Sequence, residues 1–61
     1  MSIGPQLSSV HSSLTELTKR LTDIAESQVH TKEDVASALF EIERSLNTAS
    51  RRLERLVRQV G

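Results

Sequence analysis

Apolar residues recur along this chain in two runs with the same rhythm but different phase. The first run is Ile3, Leu7, Val10, Leu14, Leu17, Leu21 and Ile24, with Gln28 in the next slot. The second is Val35, Leu39, Ile42, Leu46, Ala49, Leu53, Leu56 and Val60. Alternating steps of three and four mark the a and d positions of helices packed side by side. With Leu7 at a, Gln28 is also a and Val35 should follow as a, but the second run makes Val35 a d. The register therefore breaks within Val29–Asp34, the stretch V-H-T-K-E-D.

Folding the chain back at the break gives every seam residue a partner. Leu7 meets Leu56, Val10 meets Leu53, Leu21 meets Ile42 and Gln28 meets Val35, each layer joining an a to a d. Antiparallel helices joined by a short loop pack in this way. The pattern predicts an all-α protein, an antiparallel, coiled-coil-like helical hairpin that dimerises into a four-helix bundle. One helix is expected over about residues 5–29, the turn over 29–32 and the second helix over 32–60, as a single domain. A straight helix with a four-residue stutter, paired with a second copy, gives the same layers. It would be a rod of about 80 Å where the hairpin measures about 45 Å.

Local chemistry favours the fold-back. Thr31 and Asp34 resemble a capping box, with the Thr31 hydroxyl expected to accept the Asp34 N–H. Glu33 and Asp34 suit the positive end of the second helix. His30 tolerates a left-handed conformation, although the stretch has no Gly, Pro or Asn. Met1–Gly4 is expected to fray, and Pro5 suits a first helical position. The first helix is rich in Ser and Thr, mediocre helix formers, so it should depend on packing. The second carries Ala, Leu, Glu and Arg and is the stronger.

Size makes association necessary. Sixty-one residues in two helices share one seam and cannot cover their own apolar surface. There is no Cys to staple them. The two flanks of the seam differ. Ser8, His11, Thr15, Thr18, Thr22, Ala25, Val29, Ala36, Phe40, Glu43, Asn47, Ser50, Glu54 and Val57 lie on the e/b side, and only two of these fourteen are charged. On the c/g side six of fourteen are charged. Sequence therefore points to the e/b side as the dimer interface, built on Ala25, Val29, Ala36, Phe40 and Val57. Phe40, the only aromatic residue, is the expected anchor.

Charge is balanced overall but not locally. Residues 1–43 hold seven acids and three bases, whereas residues 44–61 hold five Arg and one Glu. Part of this asymmetry complements the second helix's dipole. Arg44, Arg51, Arg55 and Arg58 form one outer stripe with Arg52 beside it, a candidate contact for an anionic partner such as nucleic acid. A solvated face with intersubunit ion pairs explains the stripe equally simply and is preferred, because one aromatic residue offers no stacking platform for bases. His11 and His30 sit about 28 Å apart along one helix, too far to share a metal. No nucleophile–base pair or phosphate loop can be made out. The expectation is a cytoplasmic protein that is not an enzyme, uses no cofactor and no small-molecule substrate, and spans no membrane. Its partners are itself and another protein, with nucleic acid the alternative.

Overall fold

A computed structural model describes residues 3–60. Met1 and Ser2, half of the segment expected to fray, lie outside the described residues. Two helices, α1 (Gly4–Ser27) and α2 (Glu33–Val60), fold back on each other as a hairpin. The Cα trace measures 48 × 14 × 11 Å, the length of one helix and not of two in line. The straight-helix alternative is thereby excluded.

Each helix is explained by its own sequence. Helix α1 begins at Gly4, with Pro5 in its first turn where a missing N–H leaves no bond unmade. It has no side-chain cap, no acid in its first turn and no base in its last. Its threonines satisfy themselves by bonding back one turn. Thr15 Oγ donates to His11 O at 3.0 Å and Thr18 Oγ to Leu14 O at 2.7 Å, while Thr22 Oγ lies 3.1 Å from Thr18 O. Helix α2 carries Glu33 and Asp34 in its first turn and Arg58 in its last, so its macrodipole is complemented at both ends.

The turn closes differently from the expected capping box. Gln28 O accepts from both Thr31 N (3.2 Å) and Lys32 N (2.9 Å), which carries the tail of α1 one turn further. The first bond of α2 then runs from Ala36 N to Lys32 O at 3.0 Å. Lys32 thus holds the cap position, one residue after Thr31. No hydrogen bond joins the Thr31 hydroxyl to Asp34 among the described residues. Neither does any described residue adopt positive φ. The reversal therefore needs neither glycine nor asparagine, which is why the stretch contains none.

The seam itself is rotated from the a/d pattern. Buried or half-buried on α1 are Gly4, Leu7, His11, Leu14, Thr18, Leu21, Thr22 and Ala25, with Gln28 just after its end. On α2 they are Ala36, Leu39, Phe40, Glu43, Leu46, Ser50, Leu53 and Val57. These are positions a and e, plus Thr22 and Phe40 at b. Ala25 and Ala36 are 0% and 4% exposed, and Thr18 8%. The d residues have turned outwards, with Val10 and Leu17 55% exposed, Ile24 51% and Ile42 48%. The a-to-d layering expected from the apolar spacing is corrected accordingly. Its physical cause is side-chain size. Gly4, Thr18, Ala25 and Ala36 let the two backbones approach on the e flank, and the larger d residues do not. No large side chain is fully buried.

If this seam is right, enlarging it should cost stability. Ala25→Leu is expected to lower hairpin stability by about 1–3 kcal/mol through overpacking. Ser12→Leu, on the exposed outer face of α1, should leave it nearly unchanged. Thermal unfolding followed by circular dichroism compares them, and equal melting of the two variants would place the seam elsewhere.

Candidate interaction face

The hairpin has two unlike sides. An antiparallel pair has a local two-fold axis normal to its broad face, so equivalent heptad positions of the two helices fall on the same side. The e/b side is polar and internally bonded. Thr22 Oγ donates to Glu43 Oε2. His11 Nε2 lies 3.7 Å from Glu54 Oε2, and Arg58 Nη1 lies 3.4 Å from Glu54 Oε1. Thr22 to His11 is eleven residues back along α1 and Glu43 to Glu54 eleven forward along α2, so one register holds over three turns. Asn47, Ser50 and Thr15 line the same groove.

The opposite side is apolar. It carries the d residues Ile3, Val10, Leu17 and Ile24 of α1 and Val35, Ile42 and Leu56 of α2, all exposed. Between these two stripes run the half-buried leucines of the seam. A shallow groove here is lined by Leu17, Arg20, Leu21, Ile24 and Leu46. Monomeric soluble proteins rarely leave so long a contiguous apolar strip uncovered. Size makes the same point. A compact protein of 6.8 kDa exposes about 4,000 Å² by the usual scaling. This hairpin exposes 4787 Å². The excess of about 800 Å² reflects the elongated shape, in which two helices share one seam.

The residues expected from sequence to meet a second hairpin are distributed differently. Ala25 and Ala36 are sealed inside the chain's own seam, and Val57 is half-buried along it. Phe40 is half-buried at the turn end, in a groove it shares with Val29, Ala36 and Ser37. It closes the hairpin near the turn instead of standing free beside it. The d stripe was legible as apolar in the sequence. Its orientation was not, because an a/d pattern alone does not say which flank turns inwards.

Arg44, Arg51, Arg52, Arg55 and Arg58 all lie exposed on α2, away from the seam. Arg58 is engaged by Glu54. Arg52 and Arg55 lie with Leu56 and Gln59 at the edge of the apolar side, and Arg44 borders the groove that holds Phe40. Among the described residues, no group of three or more His, Cys, Asp or Glu side chains could hold a metal ion. No helix among them is long and apolar enough to cross a membrane. The chain matches no protein-family model, no curated protein and no solved structure.

The polar side makes its own prediction. Thr22→Val keeps the shape and removes the bond to Glu43, leaving a half-buried carboxylate without its donor. A loss of about 0.5–1.5 kcal/mol is expected in chemical denaturation. Glu43→Leu in the same background should recover much of it, since an apolar pair needs no donor.

Proposed function

We propose that this protein is a small oligomerising helical module for protein–protein interaction, a structural or adaptor element. Two hairpins associate through their exposed d stripes into a four-helix bundle. The observation that carries this reading is the uncovered stripe of Ile3, Val10, Leu17, Ile24, Val35, Ile42 and Leu56. Its partner is a second copy because the face is long, regular and heptad-spaced, which suits another helix pair of equal length. Burial of the stripe supplies the core that the single hairpin lacks. The outward faces of the bundle remain polar and charged, and they are the surfaces by which such a module would engage another protein.

The test is association state against concentration. Sedimentation equilibrium should find a dimer at micromolar concentration. Leu17→Glu/Ile42→Glu should shift it to monomer and remove much of its helicity, because two charges would then sit in the centre of the interface. A wild-type chain that stays a folded monomer under those conditions would falsify the reading. Phe40→Ala, by contrast, should lower thermal stability while leaving a dimer. Dissociation by Phe40→Ala together with no effect of the Leu17/Ile42 pair would return the interface to the polar side.

The Arg stripe gives a second comparison. On this reading, mixing the protein with duplex DNA or RNA yields no binding with a steep salt dependence. Binding that falls with salt and vanishes in Arg51→Ala/Arg58→Ala would instead support a nucleic-acid function.

A further inference from the structure

We infer that the two hairpins stack antiparallel, α1 on α1 and α2 on α2, with Leu17 of each copy at the two-fold axis and the turns at opposite ends. This inference rests on the dimer reading above and specifies which of its two symmetric arrangements forms. Face-to-face hairpins can place their turns at the same end, so that α1 faces the partner's α2. They can also place them at opposite ends, so that like faces like.

The stripe positions suit the second arrangement. With Leu17 on the axis, Val10 comes level with the partner's Ile24. In α2, Val35 comes level with the partner's Leu56, and Ile42 with the partner's Ala49. The midpoint of this α2 set lies between Ser45 and Leu46. Leu46 shares a groove with Leu17 and Leu21 in the hairpin. In the hairpin's own register Leu17 stands level with Thr48, so an axis shared by both helices lies about 2 Å from each midpoint and offsets each facing layer by about 4 Å. Ala49 is the one small residue of the stripe and it meets β-branched Ile42, so large faces small at that layer.

Charge decides between the arrangements. The rim of the apolar face carries Glu16, Arg20 and Asp23 on α1 and Glu41, Arg52 and Arg55 on α2, all exposed. None of the six has an ion-pair partner within the chain among the described residues, where Glu54 alone is engaged, by His11 and Arg58. With like on like and Leu17 on the axis, Glu16 lies within two residues, about 3 Å of axial rise, of the partner's Arg20 and equally of the partner's Glu16. Glu41 stands at the same small offset from the partner's Arg52. Each pair occurs twice by symmetry. With turns at the same end, Glu41 would instead come level with the partner's Asp23, carboxylate against carboxylate. That arrangement would also gather the Arg51–Arg58 segments of both chains at one end and Glu26, Glu33 and Asp34 of both at the other. Like charges so placed disfavour the pairing.

Two experiments on the full chain test the inference. The protein has no cysteine, so an introduced thiol is unique. Leu17→Cys should oxidise to a covalent dimer, because residues at a two-fold axis in facing helices come within disulfide reach. A mixture of Ile42→Cys and Ala49→Cys chains should cross-link as a heterodimer, and a mixture of Leu17→Cys and Ala49→Cys should not. The second experiment reads the rim without thiols. Glu41→Arg should weaken association roughly two- to thirtyfold at low salt, and Glu41→Arg/Arg52→Glu should restore it. The same-end arrangement reverses the sign, since Glu41→Arg would then meet the partner's Asp23 and tighten the dimer. Tightening, or a cross-link only between positions 17 and 49, overturns the orientation while a sedimenting dimer leaves the module reading intact. A wild-type chain that never dimerises overturns both.

Discussion

Everything in this hairpin depends on how closely two helices can approach on one flank. Ala25 and Ala36, with Thr18 and Gly4, are small residues on the inward side of their helices, and among the described residues they are the buried ones. Close approach there rotates both helices toward their e positions. Rotation carries Thr22 to Glu43 and His11 to Glu54, which closes the polar side. The same rotation turns the d residues out. A hairpin that placed a and d symmetrically between its helices would hide more of its apolar surface and leave less for a partner. Small residues on one flank thus decide both the internal seam and the face that is left over.

The division of labour between the helices follows from the same constraint. Helix α1 is assembled from weak helix formers and lacks a cap, yet it contributes Thr18 and Ala25 to the closest part of the seam. Its serines and threonines trade intrinsic helix propensity for small volume, and the hydroxyls of Thr15 and Thr18 bond back to their own helix, with no buried side-chain polar atom left unsatisfied among the described residues. Helix α2 has the capping charges and the propensity to stand as the template. Packing of α1 on α2 therefore has to supply what the sequence of α1 does not.

Much of this architecture was legible in the sequence. The phase slip between Ile24 and Val35 signals either a reversal or a stutter in a straight helix, and the 48 Å length of the chain decides for the reversal. The turn was legible only in part. Thr31 and Asp34 have the spacing of a capping box, but backbone bonds from Thr31 and Lys32 onto Gln28 O outcompete it and shift the cap to Lys32. The e/b flank expected to meet a second hairpin is occupied in part by the chain's own seam. A low count of charges on the e/b side signals closeness to some helix without saying whose. Ala25 and Ala36 are small because the chain's own helices meet there. Phe40 is large because it covers the turn end beside Val29.

The charge pattern takes on a different meaning once the apolar face is located. Within the single chain, the excess of acids before residue 43 and of Arg after it does little beyond complementing the dipole of α2. Exposed charges of this kind contribute little to stability one pair at a time. Their value lies in discrimination, because an apolar face with heptad spacing accepts a second copy in either direction with nearly equal burial. Rim charges that pair in one direction and repel in the other separate two arrangements that the hydrophobic effect alone cannot distinguish. An acidic turn end and a basic open end then amount to a polarity along the hairpin. In the proposed dimer, that polarity distinguishes the two directions in which a second copy could bind.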